Sequence, residues 1–122
     1  LSNFGGSAWT FDNTTQQYYY HQFGAFQPDL NYRNEEVVTA ITEVMKFWLD
    51  KGVDGFRCDA VLYLFEDDQL RDEPPNPDPD GSPSGSLEHI YTMNLPAVHR
   101  IVQGWRKVSD SYTDKVLVGE IY

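Results

Sequence analysis

Two acidic residues close two predicted strands at matching positions, and the segment between those strands reads as a loop followed by a helix. Asp59 ends the run Val53-Asp54-Gly55-Phe56-Arg57-Cys58-Asp59, and Glu120 ends Lys115-Val116-Leu117-Val118-Gly119-Glu120. Two strands joined through a helix can lie parallel and side by side, at a spacing of about 4.8 Å. Carboxyls at the same height on such neighbours would stand roughly 5 Å apart.

The flanking pattern supports that layout. Asn34 to Lys51 predicts a helix, with Asn34 as its N-cap and Glu35 and Glu36 complementing the positive end of the dipole. Val37, Ile41, Val44, Met45 and Trp48 repeat at helical spacing, and Gly52 supplies a left-handed stop. Val53 to Ala60 then predicts a strand with Gly55, Arg57 and Asp59 on one face and Phe56, Cys58 and Ala60 on the other. Glu66 to Ser86 is rich in Pro, Asp, Gly and Ser and predicts a solvent loop. Asn94 to Tyr112 predicts a second helix capped by Asn94, with Val98, Ile101, Val102, Trp105 and Val108 as its stripe. Before all this, Leu1 to Asn13 reads as loop, Gln16 to Phe23 as a short strand, and Gly24 to Arg33 as a linker around Pro28. The order predicts an α/β chain. From Asn34 onward it suits a piece of a (β/α)8 barrel, where loops at the carboxyl ends of strands carry the chemistry.

Charge and composition narrow the partners. A net charge of -10 argues against nucleic acid or an anionic membrane surface. Aromatics at 15% suit stacking on the apolar faces of sugars, and equally suit a core with strong β-propensity. The single cysteine, Cys58, excludes an internal disulfide, and its place on the helix side of its strand marks it as a small buried hydrophobe rather than a nucleophile served by His21, His89 or His99. Those histidines share no ligand spacing, so no zinc site is expected. Asn76 to Glu88 contains NPDPDG, similar to a calcium-binding EF-hand loop. Asn replaces its first Asp, prolines fill two intervening positions, and Leu87 occupies the twelfth, so an acidic solvated loop is the better reading. Asn13-Thr14-Thr15 matches the N-glycosylation pattern and fits a secreted chain.

The paired acids suggest a chemistry. Arg57, two residues before Asp59 on the same face, can hold that carboxylate ionised and aimed. A structural Arg–Asp pair is the alternative. Two carboxyls about 5 Å apart are what a retaining glycosidase uses for its nucleophile and its acid/base. In that arrangement Asp59 attacks the anomeric carbon and Glu120 protonates the leaving oxygen.

GFRCDA and VGEIY resemble two short sequence regions of glycoside hydrolase family 13, the α-amylase family. Gln27-Pro28-Asp29-Leu30-Asn31 resembles the region that family carries near the end of its small inserted domain, in a spelling similar to the α-glucosidase and oligo-1,6-glucosidase branch. The run from FGGSAW through YYYHQF to QPDLNYRN is similar to insect-type maltases. The resemblance implies residues 1–31 as the tail of the inserted domain. It implies 32–122 as part of a TIM barrel, from its third helix to its fifth strand. It carries Asp59 to the nucleophile, Glu120 to the general acid/base and Arg57 to the residue orienting the nucleophile. Ala60 falls where Ala accompanies α-1,4 preference, and Phe23 and Gln27 match residues lining the first sugar pocket, though both read equally as packing residues. The family's transition-state-stabilising Asp and its Asn-His motif lie outside this sequence, so the chain reads as a fragment, inactive alone. No cofactor is implied, and any structural calcium would sit elsewhere in a full-length protein. The implied substrate is an oligosaccharide or disaccharide, and the implied location is secreted or extracellular and membrane-associated. Non-catalytic heavy chains of amino-acid transporters, transglucosylases and sucrose isomerases resemble the same family and remain rivals.

Overall fold

The structure, a computed structural model, describes residues 1–121. Its order is β1 (Trp9–Asp12), β2 (Gln17–Tyr20), α1 (Glu35–Asp50), β3 (Gly55–Cys58), α2 (Pro96–Asp110) and β4 (Val116–Gly119), with 3-10 turns at Val61–Tyr63 and Ser84–Ser86. β1 and β2 form an antiparallel hairpin, and β3 and β4 form a separate parallel pair. No helix among the described residues is long and apolar enough to cross a membrane.

The hairpin corrects one expectation. Leu1 to Asn13 reads as loop from its Gly, Ser and aromatic content, yet Trp9–Asp12 is a strand. Its conformation is set by its partner: Trp9 pairs with Tyr20 and Phe11 with Tyr18. The Trp9 and Tyr20 rings meet edge-on at 5.2 Å and the Phe11 and Tyr18 rings at 5.0 Å, both pairs on one face of the hairpin. The turn is held by Asp12, whose carboxylate accepts from Thr14 N, Thr15 N and the Thr15 hydroxyl. A run this short takes its strand conformation from its cross-strand partners rather than from its own composition.

The two long helices pack on one side of the β3–β4 pair. Asn34 caps α1 by accepting from Glu36 N at 2.9 Å, and Gly52 takes φ +93° just beyond the end, both as the sequence predicts. The buried stripe is shifted. Met45 and Leu49 are buried, while Val44 and Trp48, expected inside, are 51% and 47% exposed. α1 is turned so that Val38, Ile41 and Met45 meet the core, which points the Val44 and Trp48 side outward. α2 begins at Pro96, later than expected. Pro96 fits a first helical position, where its missing N–H costs nothing, and Asn94 adopts φ +55° instead of capping. Val98, Ile101 and Trp105 are buried and join Tyr32, Met45, Val61 and Phe65 in one core, with Phe56, Cys58 and Leu117 of the sheet packed against it. Val102 stays 36% exposed.

The segment from Glu66 to Ser86 is more ordered than a solvent loop. The Glu73 carboxylate accepts from Ile90 N, Tyr91 N and the Thr92 hydroxyl, and Pro75 bridges Leu87. Arg71 pairs with Asp67 at 2.6 Å and lies 4.3 Å over the Tyr91 ring. That guanidinium, chiefly through its hydrogen bonds, lowers the Asp67 carboxyl to about 2. A loop without periodicity is here tied down by two carboxylates, Glu73 with partners 17–19 residues on and Asp67 with one four residues on.

Register between the parallel strands is the feature that places the acids. Gly55 pairs with Val116, Phe56 with Leu117, Arg57 with Val118 and Cys58 with Gly119. The ladder continues with Glu120 N donating to Cys58 O at 2.9 Å, which leaves Asp59 and Glu120 as the next residues on the two strands. Gly55 makes this pairing possible. A Cβ there would lie 1.9 Å from Val116 O, and its φ of +156° disfavours a side chain. Gly55→Ala is expected to destabilise the chain by about 3 kcal/mol, as overpacking against rigid backbone does, measured by urea unfolding.

Candidate active site

Asp59 and Glu120 meet on one cation. Arg57 donates through Nη1 to Asp59 Oδ1 at 2.5 Å and through Nη2 to Glu120 Oε1 at 2.7 Å. Strand alternation puts Arg57 and Asp59 on the face opposite the helices, and the register brings Glu120 beside them. The second Glu120 oxygen accepts from Ala60 N at 3.1 Å. Ala60 can aim its N–H that way because it sits in the left-handed region, at φ 45° and ψ 41°, where the chain leaves the strand and enters the 3-10 turn. A non-glycine residue there is uncommon and costs strain.

The two carboxyls are neighbours on the Arg57 guanidinium. Bonding from the Glu120 side chain, and after it from Arg57, holds the Asp59 carboxyl below the usual carboxylate range. The sequence spacing anticipates carboxyls about 5 Å apart. In the structure one guanidinium holds both acids, through its two terminal nitrogens. Asp59 is 75% exposed and Glu120 28%, so the nucleophile candidate faces open space and the acid candidate is sheltered.

The remaining sequence-predicted residues fall at different distances from this trio. Ala60 is part of it, through its backbone N–H. Phe23 packs edge-on against Tyr63 at 5.3 Å, and Tyr63 N donates to Ala60 O, so Phe23 joins the site by one aromatic contact. Gln27 closes a turn on Gly24, through its own N–H at 2.8 Å and its side-chain oxygen at 3.4 Å, and none of its described contacts reaches the acids. Cys58 lies on the helix face, where burial pushes its thiol up and leaves it a poor nucleophile. No group of three or more His, Cys, Asp or Glu among the described residues could hold a metal ion.

Sequence reasoning missed two aromatic neighbours. Phe4 meets Phe23 edge-on at 5.7 Å, and Tyr63 backs Phe23 from the other side. Phe4 sits beside two glycines in a stretch read as featureless loop. Hydrogen bonds from Ser2 Oγ to Phe23 O and from Asn3 N to Gln22 O bring that stretch to Phe23.

A parallel strand–helix–strand unit with an Arg-bridged pair of carboxyls beyond its strand ends defines an α/β fold with a carboxylate-pair site at the carboxyl ends of its strands. The chain belongs to the α-amylase family: the profile of the alpha amylase catalytic domain matches residues 1–122. It is 53% identical over 114 residues to Maltase 1 of Drosophila virilis, covering 93% of this chain and 18% of that protein. It is also 44% identical over 117 residues to the human amino acid transporter heavy chain SLC3A1, covering 93% of this chain and 17% of that one. Among solved structures, the alpha-glucosyl transfer enzyme XgtA superposes with a TM-score of 0.93 at 40% identity, over 100% of this chain and 24% of its own. The chain therefore spans about a fifth of the length of the relatives it matches.

Proposed function

We propose that the whole protein is a retaining, exo-acting α-glucosidase that releases terminal α-linked glucose, mainly α-1,4-linked, from maltose- or sucrose-like oligosaccharides. The observation that carries this reading is the single guanidinium of Arg57 shared by Asp59 and Glu120 at matched strand ends. In this reading Asp59 attacks the anomeric carbon as the bond to the leaving oxygen breaks, and Glu120, as general acid, gives that oxygen its proton. Glu120 then takes a proton from water as the water displaces Asp59 and frees the sugar with its configuration retained. Arg57 keeps Asp59 ionised and aimed throughout. Phe23 and Gln27 serve as walls of the first sugar pocket, and Ala60 as the residue bearing on linkage preference.

The same reading divides the chain at residue 31. Residues 1–31 belong to the end of an inserted domain, and 32–122 to a (β/α)8 barrel between its third helix and fifth strand. Separate sheets for β1–β2 and β3–β4 support that division. The Asn13 sequon, exposed in the turn between β1 and β2, supports a secreted or cell-surface location.

Two other functions stay within reach of the family. A relative named as a transporter heavy chain suggests a non-catalytic partner, but keeping Arg57, Asp59 and Glu120 together favours an enzyme. A neighbour named for glucosyl transfer suggests a sugar acceptor in place of water. Kinetics on the full-length protein with maltose, sucrose and isomaltose separate these. Free glucose from maltose at several times the rate from isomaltose is expected. Transfer products in place of glucose would convert the reading to a transglucosylase, and no turnover of any α-glucoside would favour the heavy-chain role.

A further inference from the structure

Ser2, His21 and Gln22 are buried polar side chains in the N-terminal unit, at 2%, 4% and 1% exposure. Burying polar groups is unfavourable unless each finds a partner, so their partners reveal what they hold. Two of them, Ser2 and His21, converge on one backbone carbonyl, that of Phe23. Ser2 Oγ donates to the Phe23 carbonyl at 2.7 Å and accepts from Phe4 N at 3.0 Å. His21 Nδ1 lies 3.1 Å from the same Phe23 carbonyl, while its Nε2 lies 2.9 Å from the Thr10 hydroxyl. A carbonyl only accepts, so Nδ1 carries the hydrogen, and in the neutral ring Nε2 accepts from Thr10. Gln22 donates from Nε2 to Asn3 Oδ1 at 2.8 Å, and its carbonyl accepts from Asn3 N at 2.7 Å.

The Phe23 carbonyl thus accepts from two side chains, Ser2 and His21. Fixing that peptide fixes the direction in which the Phe23 ring leaves the backbone. The ring then stands between Phe4 and Tyr63, edge-on to both, and Tyr63 connects through Ala60 to the Glu120 carboxylate. We infer that His21, together with Ser2, is a positioning residue: the two clamp the Phe23 carbonyl and so aim the Phe4–Phe23 aromatic wall at sugar bound over Asp59. The inference rests on the α-glucosidase reading. It adds a role for two side chains that touch no substrate.

Substitutions distinguish a hydrogen-bond clamp from simple packing. In the full-length protein, His21→Asn keeps an N–H donor near the place of Nδ1, His21→Leu keeps volume without a donor, and Ser2→Ala removes the opposite donor. With maltose, His21→Leu is expected to raise KM about tenfold with kcat within about twofold of wild type, and Ser2→Ala to raise KM about fivefold. His21→Asn is expected to restore KM to within about twofold of wild type. Hydrogen exchange over residues 20–27, read by mass, reports on the clamp whether or not the protein turns over. Exchange should be faster in His21→Leu and Ser2→Ala and unchanged in His21→Asn. If His21→Asn behaves like His21→Leu in KM or exchange, or if Ser2→Ala matches wild type in both, the clamp is overturned. Should His21→Leu fail to fold, the Ser2→Ala and His21→Asn results decide. A wild-type protein that releases no glucose would defeat the glucosidase reading separately, leaving the exchange comparison to judge the clamp.

Discussion

Asp59→Asn in the full-length protein is expected to lower kcat on maltose about a thousandfold or more, with little change in stability. The amide cannot displace the aglycone to form a glycosyl-enzyme, so the covalent route closes. The fold should not notice, because Asp59 is 75% exposed and contributes no packing to the core. The hydrogen bond to the Arg57 guanidinium can persist through the amide oxygen, so the site should keep its shape while losing its nucleophile. Parallel measurement of kcat and of the urea midpoint tests this. Turnover by the variant comparable to wild type would remove Asp59 from the mechanism, and a large drop in midpoint would mean its role is structural.

Glu120→Gln should show a different signature, and the contrast assigns the two roles. Loss of the acid is expected to slow hydrolysis of maltose by about a thousandfold, since a sugar alkoxide leaves poorly without a proton. An aryl α-glucoside whose phenol departs unaided needs no such proton in the first step. Its glycosyl-enzyme should still form at close to the wild-type rate and then accumulate, because Gln cannot activate water. A burst of phenol followed by a slow phase is the expected trace. Equal loss on both substrates, with no burst, would contradict Glu120 as the acid/base. The Asp59→Asn variant should give no burst with either substrate. The site supports this division of labour: the Asp59 carboxyl is held below the usual carboxylate range, and Glu120 is the more sheltered partner, tied to Ala60 N.

The two aromatic positions flanking Phe23 illustrate why a site is larger than its motifs. Asp59, Glu120 and Arg57 are legible because each sits at a strand end within a short string whose alternation can be read directly. Phe4 and Tyr63 carry no such local mark. They become neighbours of Phe23 only when a hairpin and a 3-10 turn, far apart in sequence, are brought together. Gln27 shows the reverse: its string is recognisable, but its described contacts stay within its own turn. A motif preserves residue identity, while reach depends on how the surrounding loops settle.

The elements follow the same division. α1 was legible at both ends because its cap and stop are local devices: Asn34 bonds a backbone N–H two residues on, and Gly52 needs only its own freedom of φ. β3 and β4 were legible from short runs rich in β-formers. The start of α2 was misplaced by two residues, since Asn94 and Pro96 both signal a beginning and only the packed chain selects Pro96. Which side of α1 is buried was also beyond the sequence, because Val44 and Met45 are equally apolar and the choice falls to the neighbours in the core. The sequence by itself determined the α/β order of the elements and the acids at the ends of two strand runs, both of which depend on patterns a few residues long. Only the tertiary structure decided the hairpin strand at Trp9–Asp12, the tethering of the loop by Glu73 and the meeting of Asp59 with Glu120 on one guanidinium. Those rest on register and on hydrogen bonds between residues up to 63 apart in the chain, from Arg57 to Glu120, where the cost of closing the intervening loops is met by the core as a whole.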